Sequence, residues 1–271
     1  MSNLPLSPHV FAILRSLIEE RLGIDYSAED IDLLAGKMSP RVVECGFDNM
    51  MDYYYFLRYD AGGTAELDQL AEALVVNETY FFREQDSLRV LCDTLIAPMV
   101  KSGMRPRIWS AACSTGEEPL TLAMLLDERD LLGRVELCAS DISQRALDRA
   151  RSGQFRGRSF RALSPALPRW FRGTPESAAV DPRILASISW QRINLLDEAT
   201  IAKQGKFDVI LCRNLLIYFR DEIAAKVVGH LTAALHPDGV LLVGISETLL
   251  RIGTSLSCEE HGGCFFYRKA P

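Results

Sequence analysis

Arg107-Ile-Trp-Ser-Ala-Ala-Cys-Ser-Thr-Gly-Glu-Glu-Pro119 reads as strand, turn and helix in succession. Ile108 to Cys113 is a short apolar run with strand character. Ser114 to Gly116 is a turn of small residues, and Pro119 suits the first turn of a helix whose apolar stripe runs from Leu120 to Leu126. This succession opens a doubly wound α/β domain, in which ligands sit at the carboxyl ends of the strands. The turn carries one glycine where a dinucleotide fold has three, and it adds the carboxylates of Glu117 and Glu118. Two carboxylates beside a helix N-terminus repel a pyrophosphate. They suit a cationic or hydroxyl-bearing ligand such as S-adenosylmethionine, which has a sulfonium, an ammonium group and no phosphate. The same residues serve equally well as the acidic first turn of an ordinary helix.

Outward from this stretch the α/β alternation continues. Val135 to Ser140 reads as a second strand ending at Asp141. An acid at that place holds a ribose diol in Rossmann-like folds, and it is equally placed to cap the helix expected from Gln144. Ile188 to Ile193 is a strand that ends at Asn194-Leu195-Leu196-Asp197. Phe207 to Cys212 is another, ending at Arg213-Asn214. A helix is expected over Asp221 to Leu235, closed by His236-Pro-Asp-Gly239, with a strand from Val240 to Ile245 after it. Apolar runs at Ser255 to Cys258 and Cys264 to Tyr267 flank Gly262-Gly263 and predict a terminal hairpin. Residues 151–187 interrupt the rhythm with four prolines and carry seven arginines against two acids, a balance of +5. Such an insertion is either a solvated loop or a docking surface for an acidic partner, with Arg169 and Arg172 as its candidate contacts.

Upstream the pattern is helical. Apolar residues recur from Val10 to Leu22 at helical spacing, and Gly23 ends the run. Ser27-x-x-Asp30 is a capping box for a second helix, and Pro40 must start, kink or break whatever helix contains it. Two more helices are expected around Tyr53 to Leu57 and Leu67 to Val76. Residues 1–75 carry five basic and thirteen acidic residues, a balance of −8. Asn77-Glu-Thr-Tyr-Phe-Phe-Arg83-Glu84 then sets an amide, a hydroxyl and a guanidinium among aromatics. It is either a binding segment or a linker that buries its rings. Leu88 to Val100 predicts an amphipathic helix.

The 271-residue chain, with 48% hydrophobic residues, is long enough for one large domain or two unequal ones. A net charge of −6 argues against a general nucleic-acid binder. No run is long enough to insert in a membrane, and Met1 to Pro8 does not read as a signal peptide. Seven scattered cysteines, with no Cys-x-x-Cys pair, suit reduced core residues of a cytoplasmic protein. The four histidines lack metal-ligand spacing, so no metal is expected.

Several of these stretches occur together and in order: Asn77-Glu-Thr-x-Phe-Phe-Arg-Glu84, Trp109 to Pro119, Ser140-Asp-Ile142, Asn194-Leu-Leu196 and Cys212-Arg-Asn-Leu-Leu-Ile-Tyr-Phe219. Each alone is weak, but together they resemble the bacterial chemotaxis receptor methyltransferase (CheR) family over nearly the whole chain. The resemblance implies an α/β class I methyltransferase (Rossmann-like) sheet with a terminal antiparallel hairpin, a small β-subdomain insertion and an N-terminal all-helical domain. The expected parts are a helical domain over 1–75, a linker with site residues over 76–87 and a methyltransferase domain over 88–271, with the insertion at about 151–187. It implies transfer of a methyl group from S-adenosylmethionine to glutamate carboxylates on the cytoplasmic helices of a chemoreceptor or related signalling protein, leaving S-adenosylhomocysteine. A cytoplasmic monomer is expected.

By motif, the resemblance places Asn77, Thr79 and Arg83 near the methionine end of the cofactor. Glu117 or Glu118 meets its amino group, with Glu118 better placed in sequence. Asp141 holds the ribose hydroxyls, Asn194 and Leu195 line the adenine pocket, Arg213 and Asn214 close the site, and Tyr218 stacks on the ligand. Arg83 is the expected orienter of the incoming carboxylate. The chain departs from the family twice. The segment Lys37 to Gly46, basic in relatives that dock receptor helices through it, keeps only Lys37 and Arg41 and is interrupted by Pro40 and Glu44. The segment from Gly173 to Asn194 is shorter than in relatives that bind a receptor's C-terminal pentapeptide tether, so tether-independent action is expected.

Overall fold

The computed structural model describes residues 3–164 and 167–271. The chain divides into two compact units, one of Met1–Val76 with Tyr218–Ile223, the other of Asn77–Ile217 with Ala224–Pro271.

The first unit is helical. Helix α1 (Pro8–Leu22) begins at Ser7, whose hydroxyl accepts the Val10 N–H, and buries Phe11, Leu14, Leu17 and Ile18 on one face. Gly23 ends it at φ 78°, and a Cβ there would meet the Phe219 ring at 2.9 Å, so both conformation and space require glycine. The Ser27/Asp30 capping box is formed, a short 3-10 turn follows, and α2 (Ile31–Glu44) continues. The helix runs on through Pro40 without a break. Leu34, Met38 and Val42 are fully buried on the face that α2 turns to the core, and this burial outweighs the roughly 3 kcal/mol that an interior proline costs. Helices α3 (Met50–Tyr59) and α4 (Gly63–Leu74) pack against α2. Residues 218–223 complete this unit: Ile24 bridges Phe219, Tyr218 O accepts the Asp25 N–H, and Arg220 reaches Asp25 and Glu19.

The basic residues of α2 are engaged inside this unit. Lys37 Nζ donates to Leu74 O at 2.8 Å, and burial lowers its pKa. Arg41 Nε donates to Glu66 Oε1 at 2.9 Å, its terminal nitrogens reach Glu66 and Glu44, and Tyr53 Oη donates to the same Glu66 carboxylate at 2.6 Å. Burial opposes the charge on Glu66, but the Arg41 and Tyr53 hydrogen bonds prevail and hold its carboxyl below the usual range. Arg41→Met is therefore expected to destabilise the helical unit by about 1.5–3 kcal/mol near neutral pH, the worth of hydrogen bonds to a charged group. A depressed carboxyl pKa stabilises above the unfolded value of about 4.3 and loses that contribution as pH falls through the folded value, so the deficit should narrow in acid. Hydrogen exchange of the α2 and α4 amides measures it, and exchange equal to that of the parent would refute the assignment.

The second unit is built on a seven-stranded sheet. Its entry is a helical run over 85–101, made of α5 (Gln85–Val90), a π-wound stretch (Leu91–Ile96) and α6 (Ala97–Lys101). Then come β1 (Arg107–Ala111), α7 (Glu117–Asp127), β2 (Glu136–Asp141) and α8 (Gln144–Ser152). The insertion holds β3 (Gln154–Phe155), β4 (Phe171–Thr174) and β5 (Ser177–Val180) in a small sheet of order β3-β5-β4, followed by α9 (Pro182–Ala186). The main sheet resumes with β6 (Ile188–Arg192), α10 (Glu198–Ala202), β7 (Phe207–Leu211), α11 (Asp221–Ala234), β8 (Leu235–Leu242), β9 (Ser257–His261) and β10 (Cys264–Arg268).

Its order is β6-β2-β1-β7-β8-β10-β9, parallel through β8 and antiparallel in the terminal hairpin. The chain builds outward from β1 through β2 to β6, then crosses back to β7, which makes β1 and β7 the switch point where such sheets bind ligands. This is the sheet expected of a class I methyltransferase, with its hairpin and β-insertion. Strand β1 buries Ile108, Trp109, Ser110 and Ala111. Trp109 Nε1 donates to Ser140 Oγ at 3.0 Å, and its ring lies 5.2 Å from Phe207.

Some expected boundaries move. Strand β1 stops at Ala111 because Ala112 turns to φ 58°. His236 to Gly239 does not close α11. It lies within β8 as an irregularity between the Phe207–Leu235 and Val209–Val240 pairs, with Asp238 at φ 61°. Strand β8 ends at Leu242, before a turn at Gly244. All seven cysteines are free; Cys92, Cys113 and Cys212 are buried as core residues, but Cys45, Cys138 and Cys264 are half-buried and Cys258 is exposed.

Candidate functional site

The carboxyl ends of β1, β2, β6, β7 and β8 carry most of the residues that the sequence singled out. The turn after β1 is strained: Ala112, Ser114 and Gly116 stand at φ 58°, 50° and 92°. Five of the seven positive-φ non-glycine residues among the described ones (Phe82, Glu84, Ala112, Ser114 and Asn214) fall in this turn, in the 77–84 segment or after β7. Gly116 is obligatory, since a Cβ there would come within 2.7 Å of Ala150 Cβ and 2.9 Å of the Trp190 ring. Ser114 ties the turn together: its N–H donates to Asp141 Oδ2 at 2.7 Å, and its hydroxyl donates to Asn77 Oδ1 at 3.2 Å. Asp141 also accepts the Ser143 N–H at 2.9 Å, while Ser143 itself caps α8.

The 77–84 segment is anchored by its aromatics. Phe81 is fully buried, with ring centroids 4.8 Å from Phe155 and Phe171 and 5.4 Å from Phe160, and the Phe82 N–H donates to Thr121 Oγ1. That anchorage brings Asn77 and Thr79 to a cavity of about 590 Å³ that Thr115 and Glu117 also line. Arg83 does not line it. Its Nη1 donates to Glu78 O at 2.8 Å, and its guanidinium lies 5.8 Å from the Tyr80 ring centre.

The two adjacent glutamates have different roles. Glu117 is buried, accepts hydrogen bonds from Thr115 Oγ1 at 2.6 Å and Ser159 Oγ at 2.8 Å, and faces the cavity. Glu118 accepts from Ser110 Oγ at 2.7 Å and from Arg213 Nη1 at 2.9 Å. The Arg213 side chain, 1% exposed, also donates to Glu84 Oε2 at 2.9 Å and to the carbonyls of Arg83 and Glu84. Asn214 Nδ2 donates to Glu84 Oε1 and the Ile245 N–H to Glu84 Oε2. Burial works against a charged Glu84, yet Arg213, Asn214 and the Ile245 amide outweigh it and depress its pKa.

Glu84 and Glu247 are site residues that sequence reasoning did not single out. Glu247 accepts three backbone N–H groups, from Gly244, Asn214 and Leu216, each at 2.7 Å, and fixes the turn that sets Asn214 at φ 59°. Burial pushes its carboxyl up in spite of those donors. Glu84 had a signal in the motif that begins at Asn77, and Glu247 had none.

Asn194 and Leu195 follow β6. The preceding Ile193 N–H donates to Asp141 O at 3.0 Å, which sets this segment beside the end of β2. Asn194 Oδ1 accepts the Leu196 N–H, and Leu195 is buried with its carbonyl 2.9 Å from His230 Nδ1. Tyr218 belongs to the helical unit.

The donor set fits S-adenosylmethionine. A buried carboxylate, an amide and a hydroxyl share one cavity for an ammonium group, and a strand-end carboxylate stands behind the strained turn for a diol.

Residues 77–261 match the family described as CheR methyltransferase, SAM binding domain, and residues 9–75 match the CheR methyltransferase, all-alpha domain. The chain is 32% identical over 250 residues to chemotaxis protein methyltransferase 1 of Pseudomonas aeruginosa, covering 88% of this chain and 90% of that protein. It is 34% identical over 262 residues to chemotaxis protein methyltransferase 2 of Vibrio cholerae, covering 94% and 90%. It is 32% identical over 242 residues to the probable biofilm formation methyltransferase WspC of Pseudomonas putida, covering 87% of this chain and 56% of that protein.

Proposed function

The chain belongs to the CheR methyltransferase family, with S-adenosylmethionine as cofactor, and from that premise we propose that it methylates glutamate side-chain carboxylates of a chemoreceptor or receptor-like signalling protein in the cytoplasm. The observation that carries the proposal is the shared cavity of Asn77, Thr79 and Glu117 at the carboxyl end of β1. When bound, the cofactor supplies a methyl group activated by a sulfonium. A substrate glutamate is ionised at neutral pH, so the protein need not remove a proton, and its contribution is alignment and exclusion of water.

Each residue then has a task. Glu117 holds the cofactor's amino group, in preference to Glu118, whose carboxylate is engaged by Arg213 and Ser110. Asp141 holds the ribose hydroxyls, Asn194 and Leu195 flank the adenine, and Asn214 closes the site with Arg213 behind it. Arg83 orients the incoming carboxylate. Action without a receptor tether is supported by the compact 173–194 segment, which holds one tight β4–β5 turn and the five-residue α9. The engagement of Lys37 and Arg41 within the helical unit favours a second reading, in which the same chemistry acts on a protein other than a chemoreceptor.

Incubation with methyl-labelled S-adenosylmethionine and a cell extract should give a labelled protein that releases methanol in mild base. Base-stable label, or none on any protein, would refute glutamate esterification. Asp141→Ala is expected to weaken binding of S-adenosylhomocysteine by about 1.5–3 kcal/mol, through loss of a charged acceptor. An unchanged dissociation constant by calorimetry would remove Asp141 from the site.

A further inference from the structure

Helix α11 buries Ala224, Val227, Val228, Leu231 and Ala234, and among these apolar side chains stands one polar ring, His230, 9% exposed. Filling the same space with an aliphatic side chain would cost less, because a buried imidazole must recover the hydrogen bonds it gave up to water. His230 recovers one in the loop after β6, where its Nδ1 lies 2.9 Å from Leu195 O. A carbonyl can only accept, so Nδ1 carries the proton of this bond. The other ring nitrogen is 3.9 Å from Glu198 Oε2, beyond hydrogen-bond reach, and that glutamate side chain is 77% exposed. The direct bond of the ring therefore goes to the loop backbone.

The carbonyl it holds belongs to a peptide gripped from both edges. In a trans peptide the C=O and N–H point opposite ways. The N–H of this same unit, that of Leu196, donates to Asn194 Oδ1 at 2.9 Å. His230 thus fixes one edge of the Leu195–Leu196 peptide while the Asn194 side chain fixes the other. The loop is also tied at its ends, where the Ile193 N–H donates to Asp141 O and the Asp197 N–H to Asn194 O, each at 3.0 Å.

We propose that His230 is a positioning residue for the base end of the cofactor, acting through the Leu195–Leu196 peptide to set how Asn194 and Leu195 face the adenine. The inference rests on the proposed placement of adenine at these two residues. Adenine presents an acceptor at N1 and a donor at its 6-amino group, and hypoxanthine reverses both. A loop whose amides are held in one orientation distinguishes the two bases, and a loop free to rotate that peptide distinguishes them less.

The test measures, by calorimetry on the full chain, affinity for S-adenosylhomocysteine and for S-inosylhomocysteine, which carries hypoxanthine in place of adenine. The parent should prefer the adenine ligand by at least about tenfold. His230→Leu fills the space without a donor, and His230→Gln brings its amide nitrogen to the place of Nε2 rather than Nδ1. Both should weaken S-adenosylhomocysteine binding about three- to tenfold, the worth of one hydrogen bond, and shrink the preference with it. His230→Asn, whose Nδ2 stands where Nδ1 does, should keep most of the affinity and the preference. Affinities for both ligands that fall in parallel, with the preference intact, would mark a merely structural histidine and overturn the proposal. So would a glutamine variant that matches the asparagine variant, a comparison that holds even if the leucine variant does not fold. A parent that binds both ligands equally would instead refute the placement of adenine at this loop, and the inference with it.

Discussion

Arg213→Met should destabilise the larger unit by about 3–5 kcal/mol near neutral pH, the cost of removing one partner from a buried ion pair. The guanidinium is 1% exposed and stands between Glu84 and Glu118, 2.9 Å from each, with the side chains of those glutamates only 16% and 14% exposed. Methionine fills much of the volume but leaves two carboxylates facing each other without a cation. Glu84 has a depressed pKa in the parent, so its contribution is present above the unfolded value of about 4.3 and is lost as pH falls through the folded value. The penalty should therefore shrink in acid, where Glu84 takes up a proton. All three tryptophans, Trp109, Trp170 and Trp190, lie in the larger unit, so urea unfolding followed by tryptophan fluorescence reports on it selectively. A loss below about 1 kcal/mol at neutral pH would show that Glu84 and Glu118 do not depend on Arg213.

Arg83→Ala should act in the opposite way, lowering methyl transfer by about 100-fold or more while leaving the urea midpoint nearly unchanged. The Arg83 side chain is 26% exposed, its direct hydrogen bond is to a backbone carbonyl, and its nearest carboxylate, Glu84, is 3.9 Å away. Exposed pairs of this kind contribute about 0–1 kcal/mol. An attacking carboxylate misplaced by about 1 Å costs on the order of 100-fold. Arg83→Lys restores the charge without the planar fork and should recover only part of the rate. The measurement is kcat/KM on a substrate verified by base-labile label, and near-parental values for Arg83→Ala would remove it from the reaction.

The topology was legible because parallel strands and their crossovers leave a strong trace: buried apolar runs ending in polar residues, each followed by a helical stripe. The strand–turn–helix at 107–119 and the strand ends at Asp141, Asn194 and Arg213 were read from that pattern. What escaped depends on tertiary partners. Pro40 predicts a disrupted helix from local rules, whereas burial of Leu34, Met38 and Val42 carries α2 through it. His236 to Gly239 has the composition of a helix terminator, yet pairing with β7 draws it into a strand. Adjacent residues on a helix point about 100° apart, so Glu117 and Glu118 had to differ, but only the folded chain shows that Arg213 engages the second. Glu247 is a lone acid in a loop whose value lies in the three amides it collects.

The helical unit is discontinuous, since Tyr218–Ile223 belongs to it together with Met1–Val76. Ile24 and the Asp25 N–H find partners in that late segment, and the Phe219 ring packs over Gly23. During synthesis, 147 residues must emerge after Val76 before Ile223 is made. At about 5–20 residues per second this takes roughly 7–30 s, far longer than a helix needs to form. The first helices on the ribosome therefore wait with the end of α1 unfinished while most of the sheet is translated. Completion of the smaller unit is coupled to the chain having passed β7, so a product truncated before residue 218 lacks not only the end of its sheet but the final contacts of its first domain.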